Sequence, residues 1–155
     1  MEFSSKEDLD APIADVFAAI SDFGSFERSA IRRGIEVQSQ DHPQTPEVGQ
    51  FWDVRFDFRG KPRDLHLTLT AYEPSTLVGL SGESAALKGE GRIELLALSP
   101  QRTRISVSMQ IQAKGLTGRL LLQSFKLAKS KINRRFKLRV AEFAKLTEER
   151  LSHSA

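Results

Sequence analysis

Three histidines are the first candidates for chemistry in this 155-residue chain, and they stand apart from one another. His42 falls in a loop by composition, His66 on the polar side of an alternating strand, and His153 near the end. No two have metal-ligand spacing, so no metal site is expected. The chain has no cysteine, which removes thiolate nucleophiles, thiolate metal sites and disulfides together. It has no Gly-x-Ser-x-Gly elbow, P-loop or dinucleotide fingerprint, and the glycines of "KGEGR" lie inside a strand pattern. No cofactor is expected.

Glu7 is the one acid with a claim to acid–base work. Strand parity puts it, with Ser5, on the face of Phe3 and Leu9, which should be buried. A buried carboxylate needs a partner or takes up a proton. Lys129 or Arg139, toward the inner side of the terminal helix, would supply that partner. The competing expectation, and the favoured one, is a bulge or frayed strand end that turns Glu7 to water. Ser81 and Glu83 are the other groups a cavity enzyme would have to use. Glu7 is therefore a weak candidate, and no residue is assigned as catalytic.

The elements that must position these groups follow from periodicity. "EFSSKEDLDAP" alternates as a strand and stops at Pro12, which opens a helix with Ile13, Val16, Phe17 and Ile20 on one side. Gly24 interrupts it, and a second short helix runs to about Ala30. From Gly49 the period is two. Trp52, Val54, Phe56 and Phe58 share a face, "RGKP" turns, and Leu65, Leu67 and Leu69 continue it. Two further strands pair around "SPQR", with Gly89, Gly91, Ile93 and Leu95 on one face and Ile105, Val107, Met109 and Ile111 on that of the partner. Half-polar alternation of this kind means an antiparallel sheet with one wet face. After Gly115 the period becomes helical. Leu121, Phe125, Ala128, Ile132, Phe136, Val140 and Phe143 form one stripe on a helix expected from about Thr117 to Leu151. The fold class is α+β, a curved sheet of six or seven strands around that helix. One domain spans 1–151, with 152–155 as a disordered tail.

Charge is unevenly spread. Residues 1–94 carry a net −7, residues 95–141 hold eleven bases and no acid, and the rest is −1, giving +3. The densest stretch is "KLAKSKINRRFKLR". Phe136 lies in its middle and belongs to the apolar stripe, so the run is one side of a packed helix and not a basic tail. Lys126, Lys131, Arg134 and Lys137 form an outward basic surface, with Leu120, Leu127 and Leu138 on the same back. Such a surface suits weak, salt-sensitive contact with an anionic membrane. It lacks the interleaved aromatics of a nucleic-acid groove, and no nucleic acid is expected. The oligomeric state stays open. No apolar run approaches a membrane span, and "MEFSSKEDLDAP" has no signal-peptide pattern, so a cytoplasmic protein is expected.

The element order, with "LDAPIADVFAAISDFGSF", resembles the SRPBCC superfamily, the helix-grip fold of START and Bet v 1-like domains and of polyketide cyclase/dehydrase-like proteins. Ala11, Pro12, Val16, Phe17, Asp22 and Phe23 fill its entry pattern. "LSGESAALKGEGRIEL" and the long helix are similar to the branch of that superfamily associated with carbon monoxide dehydrogenase. The resemblance implies a hydrophobic cavity between sheet and terminal helix. Its expected lining is Trp52, Phe56, Phe58, Leu65, Leu67, Leu69, Gly89, Gly91, Met109, Phe125 and Phe136. The function it implies is binding of a hydrophobic small molecule or lipid without catalysis. The alternatives are a polyketide cyclase, aromatase or dehydratase, and a membrane-surface adaptor using the basic helix.

Overall fold

The computed structural model describes residues 1–39 and 45–154; His42 lies outside them. Seven strands form one open antiparallel sheet: β1 Glu2–Leu9, β2 Glu36–Ser39, β3 Phe51–Phe58, β4 Lys61–Glu73, β5 Leu77–Glu83, β6 Leu87–Ser99 and β7 Arg102–Ala113. Their order is β1-β7-β6-β5-β4-β3-β2, so the first two strands occupy opposite edges. The helices α1 Ile13–Ile20 and α2 Phe23–Arg32 carry the chain from one edge to the other. The helices α3 Gly115–Leu127 and α4 Lys129–Ser154 follow the last strand.

Period two decides which side chains meet the helices. One row across the sheet runs Leu69, Leu80, Gly91, Met109, Phe3, and the next runs Val78, Ile93, Val107, Ser5. These side chains face the helices, while Asp53, His66, Lys88 and Glu90 face outward. The sealed core gathers where α1 covers the sheet. Leu9, Val16, Leu69, Val78 and Ile105 are at most 1% exposed there. Each such aliphatic side chain contributes about 1.5–3 kcal/mol by leaving water. Thr103, also buried, donates its hydroxyl to the Ala11 carbonyl at 2.8 Å and fixes the entry into α1.

Two expectations about the terminal helix need correction. It is broken at Ala128, whose N–H bonds the Phe125 carbonyl at 3.0 Å in a tightened final turn of α3. No Gly or Pro marks that position, which is why the uninterrupted stripe hides it. The two segments also rest on different supports. α3 packs against β7 and the turn at Ala86, through Gly118, and α4 packs against β1. At the other end, α4 runs to Ser154, so 152–154 are helical where a tail is expected from the sequence. Leu151 packs against the core and draws that last turn inward.

The β3–β4 turn is Arg59–Gly60, with φ of 52° and 75°. Two positive φ values at the centre of a two-residue hairpin match the twist of the strands they join. Arg59 then reaches over to α3. Its guanidinium stands 5.4 Å from the Phe58 ring and 5.8 Å from the Phe125 ring, and it donates to the Ser124 hydroxyl at 2.9 Å.

Candidate functional site

Between the sheet and α4 lies an apolar cavity of about 280 Å³. Ile93 of β6 and Ile105 and Val107 of β7 make its floor. Phe136, Val140 and Phe143 of α4 make its roof, and Ile20 of α1 and Phe26 of α2 close the side. Helical spacing of 136, 140 and 143 places those three on one side of α4, and strand parity places the floor residues on one face. The walls are built by the same two periodicities as the core. They differ in being unfilled: Ile93, Val107, Phe136, Val140 and Phe143 all remain partly exposed. Phe26 is 44% exposed and its ring lies 5.8 Å from that of Phe143, which makes this pair the rim of the opening.

Among the described residues, Arg139 is the only polar one in that wall. Its guanidinium stays in solvent, 3.6 Å from Glu142, so the hydrocarbon stem lines the cavity while the charge remains wet. The helical wheel puts both Arg139 and Lys129 near the inner side. Arg139 does border the cavity, but Lys129 is exposed and leaves it altogether.

Glu7 does not turn to water through a bulge. β1 keeps an unbroken register from Glu2 opposite Gln110 to Leu9 opposite Thr103. Glu7 therefore stays on the inner face, half-buried, opposite the cavity-floor residue Ile105. Among the described residues its carboxylate has no hydrogen-bond or ion-pair partner, and neither Lys129 nor Arg139 reaches it. Ser81 and Glu83 point the other way, on the outer face, where Glu83 pairs with Lys114 at 2.7 Å. That ammonium, through its hydrogen bond, holds the Glu83 carboxyl below its ordinary range. Neither residue can reach a molecule in the cavity.

The expected lining is divided by the structure. Phe136 lines the cavity, its ring centre 6.0 Å from that of Phe3 and tilted against it. Trp52 and Leu69 belong to the sealed core, Trp52 edge-on to Phe23 with its indole N–H bonded to Glu27. Phe58 and Phe125 meet at 6.1 Å under Arg59 and close the hairpin end. Phe56, Leu65, Leu67 and Met109 are on the inner face and half-buried. Gly89 and Gly91 share the inner face but differ in surroundings. A Cβ on Gly89 would stand 2.9 Å from the Gln110 carbonyl, so close backbone approach explains that glycine. A Cβ on Gly91 would meet nothing nearer than the Ser108 carbonyl at 3.9 Å, so space explains it better. Ile20, Phe26, Ile93, Ile105, Val107, Val140 and Phe143 are absent from the expected lining, because periodicity marks a face as apolar without saying which part of it stays open.

Two larger concavities, about 460 and 400 Å³, lie on the outer face. Charged side chains line both. In the larger one, His66 Nδ1 stands 2.7 Å from the Asp53 carboxylate, with Asp64 and Glu83 nearby. An apolar molecule there would strip water from charges, so size alone does not make these the site. No group of three or more potential metal ligands occurs among the described residues.

The chain matches the family described as polyketide cyclase/dehydrase and lipid transport over residues 1–148. It belongs to that family. Solved structures share the fold at low sequence identity. The Zhui aromatase/cyclase from Streptomyces sp. R1128 is 12% identical, with a TM-score of 0.64 over 97% of this chain and 95% of that one. Norcoclaurine synthase from Thalictrum flavum is 14% identical, with a TM-score of 0.67 over 100% and 96%. A START superfamily protein from Mycobacterium smegmatis is 12% identical, with a TM-score of 0.54 over 86% and 95%. No curated protein sequence matches. At these identities the neighbours share the fold, and the cyclase/dehydrase family's helix-grip scaffold is what this chain has in common with them.

Proposed function

We propose that the protein binds a small hydrophobic molecule or one lipid chain in the cavity beneath α4, without transforming it. The observation that carries this reading is the apolar concavity itself, walled by carbon from five elements and opened at Phe26 and Phe143. These apolar walls face solvent through the opening, and a ligand seated on them removes that surface from water. At about 280 Å³ the cavity falls just below the usual ligand range of about 300–1,000 Å³. It suits one ring system or a chain segment better than a whole polyketide.

The cyclase-type alternative has Glu7, half-buried on the inner face, as its candidate acid. Nothing among the described residues orients that carboxylate, and neither it nor any other carboxylate or imidazole among them lines the cavity. Proton transfer needs a group held at reach of the reacting atom, so binding is the better-supported reading.

Titration with an apolar fluorophore tests it. The expected result is saturable binding in the micromolar range, about −8 kcal/mol. Gly91→Leu, which fills the row beside the cavity floor, should weaken it. Non-saturable or absent binding in folded protein would end the reading. Unchanged binding in folded Gly91→Leu would confine the ligand to the Ile93–Val107 end.

A further inference from the structure

Helix α3 is apolar on two opposite sides. Gly118, Leu121, Leu122 and Phe125 face the rest of the protein and are buried or half-buried. At about 100° per residue, Leu116, Leu120 and Leu127 lie within roughly 40° of one another on the reverse side. They are 73%, 60% and 93% exposed. One exposed leucine needs no explanation, but three aligned on a 13-residue helix do. Beyond the break at Ala128, Leu138 of α4 is also exposed, at 56%.

The charges beside this line are all of one sign. Arg119, Lys126, Lys131, Arg134, Arg135 and Lys137 are exposed, and none makes an ion pair among the described residues. From Arg139 onward the character changes: Arg139 pairs with Glu142, and Glu148 and Glu149 follow. The single-sign region therefore spans the exposed leucines from Leu116 to Leu138, while Leu146, also exposed, lies beyond it among the acids.

We propose that this face, from Leu116 to Leu138, rests on an anionic lipid bilayer. A leucine stripe flanked by Lys and Arg, on a helix lying in the plane of contact, is how amphipathic helices adsorb to the lipid interface. Symmetric pairing with a second copy would bring cation against cation with no acid between them, and that repulsion disfavours it. The leucines would enter the headgroup boundary while the cations meet lipid phosphate and carboxylate. This surface contains none of the residues that line the cavity, so its test does not depend on the ligand reading.

Co-sedimentation with phosphatidylcholine vesicles, with and without about 30% phosphatidylserine, is the experiment. At low salt the protein should bind the anionic vesicles and not the neutral ones. Binding should disappear near 0.5 M salt, where the Debye length is about 4 Å. Leu127→Glu should reduce the bound fraction about tenfold, and so should Lys131→Glu with Arg134→Glu. Both variants replace exposed side chains, and circular dichroism should match the parent. Equal binding to both vesicles, binding to neither, or anionic binding that survives Leu127→Glu would overturn the proposal. So would sedimentation equilibrium showing a dimer that Leu127→Glu dissociates, because the face would then belong to a second copy.

Discussion

Val107→Phe should lower affinity for an apolar fluorophore at least about tenfold, or 1.4 kcal/mol. Val107 lies in the cavity floor on β7 and is only half-buried, so a larger side chain has an empty volume to enter. The ring would occupy space the ligand needs, and the apolar surface it covers is surface the ligand can no longer remove from water. Overfilling a packed core costs about 1–3 kcal/mol, but this site is not packed. Stability should therefore change little while binding collapses. Val140→Trp, from the roof, should act the same way through a different element. Fluorophore titration with parallel urea unfolding checks both. Undiminished binding in two folded variants would remove the ligand from this cavity.

The second large effect is structural. Gly118→Ala should destabilise the protein by about 3 kcal/mol, the upper end of overpacking costs. In an ordinary helix interior, alanine for glycine gains about 1 kcal/mol. Here a Cβ would stand 2.0 Å from the Ala86 carbonyl oxygen. That carbonyl accepts the Lys114 N–H at 2.8 Å, so it is held and cannot swing aside cheaply. The clash outweighs the propensity gain, and α3 must lift from the sheet. Arg59 and Phe58 would then lose Phe125. A urea midpoint at or above that of the parent would mean that α3 does not dock here.

Gly118 also marks how far the sequence can be read. A glycine inside a helical pattern is a signal of close approach, but what it approaches is the turn at Ala86, far back along the chain and brought there by tertiary packing alone. The sheet is more legible. Alternation from Trp52 to Leu69 and from Leu87 to Ile111 matches the inner face that the strand register produces. Period two identifies a face and cannot say which part of it stays empty. Trp52 and Leu69 share their inner face with Leu67, yet α1 and α2 seal the first two and leave Leu67 partly open. The break at Ala128 is invisible for a related reason: apolar residues continue in phase through it. Glu7 shows the opposite case. Parity correctly places it inward, and the general rarity of buried glutamate argues wrongly for a bulge.

The central claim is that apolar ligands enter beneath α4 and not the larger polar grooves outside. A small apolar diazirine, photolysed on the protein and mapped by peptide mass spectrometry, tests that claim most directly. Adducts should fall on Ile93, Val107, Phe136, Val140 or Phe143, and Val107→Phe should abolish them. Adducts confined to Gln38, His66 and Ala85, in the outer groove, and undiminished in Val107→Phe, would contradict it.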